Sequence, residues 1–157
     1  MTGLYNKETT EQLTDELLSE DENKSHAFLI LDVDCFKQIN DIYGHAVGDI
    51  VLQKFGKLLK GTFREGDILG RIGGDEFGVI MKNIQTKDIA MKKAGELLAK
   101  TQAYRIDELK GNNISISIGI STAPQDGDCY MDLYKRADQA LYQAKRSGKA
   151  RVCNYFS

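Results

Sequence analysis

The sequence predicts an α+β fold: a ferredoxin-like, split-βαβ central sheet, rich in antiparallel pairs and packed by helices. Three observations predict it. The hydrophobic pattern alternates between helical and strand periods in the order α-β-α-β-β-α-β-α-β, whose βαββαβ centre has split-βαβ connectivity. The run HAFLILDVD at 26–34 is almost unbroken in apolar and β-favouring residues, as a buried central strand requires. Two short strand candidates, GDILGRI and EFGVIMK, meet across Gly73 and Gly74, where glycine permits a tight hairpin turn.

Each element follows from its residues. KETTEQLTDELLSE, from Lys7 to about Ser19, mixes good helix formers with Leu13, Leu17 and Leu18 at helical spacing, and the polar EDENKS ends it. After the central strand, CFKQINDIYG predicts a short helical turn. Val51, Leu52, Phe55, Leu58 and Leu59 then form one helical stripe. Beyond the hairpin, Thr86 is placed to cap a third long helix with Ile89, Ala90, Ala94, Leu97 and Leu98 facing inward. NISISIGIST alternates Ile114, Ile116, Ile118 and Ile120 with small residues, which predicts a half-buried strand. A last helix runs from about Tyr130 to Arg146, and ARVCNYF closes the chain as a strand. The only proline, Pro124, falls in a loop.

Composition narrows the function classes. The 157 residues, 41% hydrophobic and 28% charged, fit a single domain over 1–157. Its abrupt opening at MTGLYN is expected of a piece from a longer signalling protein. With 21 basic against 23 acidic residues the formal charge is -2, so no global positive field gathers a nucleic-acid polymer, and phosphate binding must be local. Cys35, Cys129 and Cys153 form no CxxC pair and indicate neither a disulfide framework nor a zinc site. The longest apolar run, AFLIL, is too short to span a bilayer, so no membrane contact is expected of this segment and the cytoplasm is its expected setting. Any anchor belongs to a segment outside it.

Acidic residues carry the chemistry. Asp32 and Asp34 end the apolar strand, and Asp75 and Glu76 sit at the hairpin of the two middle strands. In a split-βαβ sheet those places are neighbours, so three or four carboxylates converge. Bare, they repel one another. A hard divalent cation is the ordinary remedy, since Mg²⁺ takes one or two carboxylates together with substrate phosphate oxygens. For an isolated GGDE the plain alternative is a solvated hairpin whose acids keep it soluble.

The hairpin has company. TGLYNK at 2–7, LDVDCFKQINDIYGHAVGD at 31–49, RIGGDEF at 71–77, SISIGIS at 115–121 and ADQALYQAKRSGKARV at 137–152 occur in order. Over essentially the whole chain, these blocks resemble the GGDEF family of diguanylate cyclases. The resemblance implies a palm-type, nucleotidyl-cyclase version of the fold. It also implies an enzyme that joins two GTP into cyclic di-GMP with release of two pyrophosphates, using Mg²⁺ or Mn²⁺, two ions per active site.

Carried over position by position, the resemblance makes Asp32 a metal ligand, with the backbone carbonyl of Val33 as a second. Asp75 binds metal and helps deprotonate the ribose 3'-hydroxyl, and Glu76 completes the metal shell. Lys37 joins Asp75 and Glu76 in the catalytic set by reaching the phosphates. Asn40 and Asp49 read the guanine edge, where an Asp accepts from N1 and N2 hydrogens and an Asn amide donates or accepts. Local capping is the alternative for both: Asn40 at the end of its turn, Asp49 at the start of the next helix. Gly73 and Gly74 let the hairpin backbone approach the nucleotide, and Phe36 counts with the substrate site although its first expectation is the core.

Lys145 and Lys149 match phosphate-contacting positions, with a solvated helix end favoured by the macrodipole as the alternative. The family usually reads Gly-Arg-Asn where this chain has Gly148, Lys149 and Ala150; lysine keeps the charge and gives up the bidentate fork. Arg64 and Asp67 form an RxxD pair at the family spacing from Gly73, which implies an allosteric site for the product, against a simple surface ion pair. The family often adds an arginine from the following helix, and here Lys82, Lys87, Lys92 and Lys93 are expected there. A ring made from two identical nucleotides implies a homodimer for catalysis. Three rival classes stand beside this reading: a catalytically silent receptor for GTP or cyclic di-GMP, a dimerisation module, and a cyclase of altered base choice.

Overall fold

The computed structural model describes residues 3–20 and 23–155. Thr2 of the TGLYNK block, Asp21 and Glu22 of the predicted break, and Phe156 of the predicted last strand lie outside the described residues. A five-stranded sheet in the order β2-β3-β1-β4-β5 forms the centre. Its strands are β1 (His26–Val33), β2 (Ile68–Arg71), β3 (Glu76–Met81), β4 (Ile116–Ala123) and β5 (Val152–Asn154). Every pair is antiparallel except β4 with β5. The first four strands stand in the split-βαβ order, and β5 adds an edge.

Two apolar layers sandwich the sheet, and the side-chain alternation of β1 feeds both. Leu29, Leu31 and Val33 enter a core shared with α3 (His45–Thr62) and α4 (Lys87–Ala103). Phe28 and Ile30 enter a second core with α1 (Lys7–Glu20) and α5 (Tyr130–Arg146). The next residue of that second face is Asp32, so the acid sits where the apolar stripe ends under α5. A short helix, α2 (Phe36–Tyr43), follows β1 and precedes α3.

Three expectations need correction. β4 is buried along its whole length and not half-buried. Ile116, Ile118 and Ile120 fill the α3–α4 core, while Ser117, Gly119 and Ser121 face α5. Small residues are needed there because the helix lies directly on the strand: a Cβ on Gly119 would overlap the Ala137 carbonyl and the Leu141 amide, and the Ser121 hydroxyl donates to the Leu133 carbonyl at 2.8 Å. Ile89 is exposed, unlike its neighbours Ala90, Ala94 and Leu97, because the buried stripe of α4 repeats through 90, 94, 97 and 101 and leaves position 89 off the face. Lys82 follows β3 and does not belong to α4, which begins at Lys87.

Candidate active site

The register of the sheet assembles the acids. Asp32 lies directly opposite Glu76 across the β1–β3 ladder, and residues directly opposite project from the same face. Asp75, one residue before β3, accepts a hydrogen bond from the Val33 amide through its carbonyl at 3.4 Å, which fixes the hairpin against the end of β1. Val33 buries its side chain in the core, so only its backbone can serve the site. Arg71 completes the hairpin. Its Nε and Nη2 donate to the Gly74 carbonyl at 3.2 and 2.6 Å. Neither Gly73 nor Gly74 adopts a left-handed φ. The turn therefore does not need glycine for its conformation, as the sequence had suggested. Gly74 instead borders open space, so its backbone is bare to any ligand beside the acids.

Burial sets the electrostatics. It pushes the Asp32 carboxyl up to about 6, an effect opposed by the Lys145 ammonium and reinforced by the Asp75 carboxyl within hydrogen-bonding range. Burial likewise raises Glu76, while the hydroxyl of Tyr134, donating to Oε1 at 2.8 Å, works the other way. Lys145, from the last turn of α5, makes an ion pair with Oδ2 of Asp32. Burial alone would lower the lysine; the carboxylates of Asp32, Asp75 and Asp34 outweigh it and hold the ammonium above its ordinary value.

Asp34 departs from the expected cluster. Ser115 and Ser117 donate to its carboxylate at 2.6 and 2.7 Å, and the Ala150 amide donates at 3.1 Å. It ties β4 and the segment after α5 to the end of β1. The converging group is therefore Asp32, Asp75 and Glu76.

Its donors are hard oxygens, and one of them is orphaned: Oδ1 of Asp32 is buried with no hydrogen-bond partner among the described residues. One lysine cannot neutralise three carboxylates. A buried acceptor without a donor, in a set made only of oxygens, fits a small divalent cation such as Mg²⁺ or Mn²⁺.

Beside the acids, α2 and α3 meet closely at a second orphan. Oδ1 of Asn40 is also buried and unpartnered, and it fills the place a Cβ on Gly48 would need, with Phe36 at the same spot. The capping alternatives fail. Asp49 is the fifth residue of α3, one turn past its start, and Asn40 stands inside α2 with its side chain capping nothing. The structure thus brings Phe36, Asn40 and the residue preceding Asp49 together, with Asp49 exposed. Phe36 packs half-buried against the core, as expected first. Lys37 is exposed on the outer side of α2.

α5 ends in a Schellman motif: the Gly148 amide donates to the Lys145 carbonyl and the Lys149 amide to the Ala144 carbonyl, with Gly148 at φ +122°. This turn brings the Lys149 ammonium within 3.3 Å of Sγ of Cys35, beside the start of α2. Lys145 thus meets Asp32 directly, while Lys149 lies against Cys35, the residue after Asp34.

The RxxD pair is more than a surface contact. The Asp67 side chain is only 1% exposed and accepts from the Arg64 guanidinium, the Arg64 amide and the Lys82 amide, each at 3.1 Å. Arg64 remains 58% exposed and also donates to the Lys82 carbonyl. Asp67 holds the turn, and Arg64 is the arm that faces solvent. Sequence reasoning missed Tyr134, Arg71, Ser115 and Ser117 as site residues. Arg71, in RIGGDEF, and Ser115 and Ser117, in SISIGIS, had a signal in the family-like blocks that contain them, whereas Tyr134 had none.

Comparison with known proteins agrees with this geometry. The family model described as diguanylate cyclase, GGDEF domain, matches residues 1–151. Diguanylate cyclase A of Treponema denticola is 38% identical over 135 residues, 85% of this chain and 36% of that protein. The response regulator PleD of Caulobacter vibrioides is 36% identical over 157 residues, 97% of this chain and 34% of that protein. The chain thus spans about a third of the length of these curated relatives. Among solved structures, the GGDEF domain of YfiN, or TpbB, from Pseudomonas aeruginosa matches with a TM-score of 0.94 at 32% identity, covering 100% of this chain and 99% of that one. The active GGEEF domain of a diguanylate cyclase from Vibrio cholerae matches at 0.91 and 29% identity, covering 98% and 99%. No described helix is long and apolar enough to cross a membrane. A converging acid set on a split-βαβ sheet and a family match over nearly the whole chain lead to one conclusion: the chain belongs to the GGDEF domain family of diguanylate cyclases.

Proposed function

We propose that this domain condenses two molecules of GTP into cyclic di-GMP, releasing two pyrophosphates, as a domain of a longer cytoplasmic signalling protein. The observation that carries the reading is the orphaned Oδ1 of Asp32, set opposite Glu76 and beside Asp75. When bound, Mg²⁺ or Mn²⁺, two per site, would acidify the ribose 3'-hydroxyl and neutralise charge on the α-phosphate and the departing pyrophosphate.

The chain's own groups do the rest. Asp32, Asp75 and Glu76 supply the anionic oxygens, with the Val33 carbonyl available beside them. Asp75 stands at the bare hairpin, where it can take the proton of the attacking hydroxyl. In each half-reaction a 3'-oxygen forms a bond to an α-phosphorus while the bond to the bridging oxygen of pyrophosphate breaks. Asn40 and Asp49 read the guanine edge, and Gly73 and Gly74 let the nucleotide approach the backbone. Lys145 and Lys149 offset triphosphate charge, and Lys37 extends from α2 for the same purpose. Lys145 has a further part: its pairing with Asp32 holds two opposite charges ready, and each is released to a ligand of the other sign.

Each domain holds one GTP, so two domains face each other across a twofold axis, each hydroxyl attacking the phosphate held opposite. Cyclic di-GMP returns as an inhibitor at Arg64, whose exposed guanidinium can grip a guanine edge or phosphate. Asp67 acts there through Arg64. Incubation of the purified protein with GTP and Mg²⁺, followed by mass analysis, tests the reading: cyclic di-GMP and pyrophosphate are expected. Unreacted GTP from a folded, dimeric preparation contradicts it, and a cyclic product of another base contradicts the guanine assignment.

A further inference from the structure

Glu76 has two oxygens, and the fold treats them differently. Oε1 accepts from the Tyr134 hydroxyl at 2.8 Å; Oε2 accepts no hydrogen bond among the described residues. The tyrosine is well anchored. Its ring stacks on Tyr130, with centroids 5.9 Å apart, and meets the edge of Phe28 at 6.5 Å. Phe28 and Tyr130 are themselves fully buried and packed edge to face at 5.4 Å. An aromatic ladder on one face of α5 and β1 therefore fixes where the hydroxyl points. Three charges act on Glu76 from around it: Asp138, one turn further along α5, and Asp75 repel it, while Lys145 attracts it. Among the described residues none of the three donates a hydrogen bond to either oxygen. Tyr134 does.

We propose that Tyr134 is a positioning residue: by holding Oε1 of Glu76 it leaves Oε2 as the oxygen free of a hydrogen bond and so biases the site toward small octahedral ions that take one carboxylate oxygen, Mg²⁺ or Mn²⁺, and against Ca²⁺. The chemistry follows from ion size. Mg²⁺ binds six ligands at about 2.0–2.1 Å and prefers carboxylates one oxygen at a time, whereas Ca²⁺ takes about 6–8 oxygens at about 2.3–2.6 Å and readily takes both oxygens of one carboxylate. A Ca²⁺ bound through both oxygens would also draw on the remaining lone pair of Oε1, and so competes with the Tyr134 hydrogen bond and with the orientation it imposes on the carboxylate. The cost is that of one hydrogen bond at a half-buried site.

The inference rests on the proposal that Asp32, Asp75 and Glu76 bind metal, and its test separates the two. Mn²⁺ is bound to the protein with a non-hydrolysable GTP analogue and followed by the resonance signal of the free ion. Ca²⁺ and, separately, Mg²⁺ then displace it, with a nucleotide-only titration subtracted. Tyr134→Phe keeps the ring and removes the hydroxyl, and is expected to shift the ratio of half-displacing concentrations about fivefold in favour of Ca²⁺, the worth of one net hydrogen bond. Tyr134→Leu is expected to shift it as far. Mn²⁺ binding with an unchanged ratio in Y134F overturns this inference alone. A shift in Y134L without one in Y134F assigns the effect to packing and also overturns it. Failure of the unaltered protein to bind Mn²⁺ overturns the metal site and this inference together.

Discussion

Asp67 serves the fold through three hydrogen bonds, whereas the proposed part of Asp75 and Glu76 is to hold a ligand, and the carboxylates differ accordingly. Asp75 and Glu76 are half-exposed at the sheet's rim, and among the described residues the one hydrogen bond to the Glu76 carboxylate comes from Tyr134. Asp75→Ala or Glu76→Ala is therefore expected to lower cyclic di-GMP synthesis by about a thousandfold or more, the scale of losing a group that stabilises transition-state charge. Thermal melting should stay within a few degrees of the parent. Turnover surviving in either variant contradicts the assignment. Asp67, buried and accepting three hydrogen bonds, behaves oppositely: Asp67→Ala orphans the Arg64 and Lys82 amides and should cost about 1–3 kcal/mol in urea denaturation. Arg64→Ala removes the counter-charge of a buried carboxylate that keeps its two amide donors, so it should cost about 1–3 kcal/mol and relieve inhibition by added cyclic di-GMP. An unchanged inhibition curve rules that site out.

The elements show why parts of the site were hidden in the sequence. β1, β3, α3 and α5 were legible because their apolar residues repeat at the right period and glycines or polar runs bound them. The face-to-face placement of Asp32 and Glu76 followed from the split-βαβ order. Other features depend on register, which no local pattern states. Tyr134 meets Glu76 across 58 residues, and Ser115 and Ser117 meet Asp34 across 81 and 83. Serine in an alternating strand looks like a solvent face, and in β4 it is a buried face pressed under α5. That close packing is testable. Gly119→Ala drives a methyl into the backbone of α5, which cannot rotate away, so a loss of at least about 1–3 kcal/mol is expected by denaturant titration. Because α5 carries Tyr134 and Lys145, synthesis should fall with it. A variant as stable as the parent would show that helix and strand are not in such contact.

In the proposed reaction, one copy of the whole domain supplies half of a symmetric chemistry. The acids, Asn40 and the two lysines of the α5 end are proposed to hold one nucleotide, and a product of two nucleotides would then need a second copy. Synthesis rate is therefore expected to rise faster than linearly with protein concentration. Strict proportionality across a wide dilution range would contradict pairing. The matched region makes up only about a third of these curated relatives. The proposed chemistry depends above all on Asp32, Asp75 and Glu76 meeting around metal. Anomalous diffraction from crystals grown with Mn²⁺ and a non-hydrolysable GTP analogue tests it most directly. Density peaks among these three carboxylates, bridging to the phosphates, are predicted; ordered nucleotide with no peak there, or with the metal held elsewhere, would contradict it.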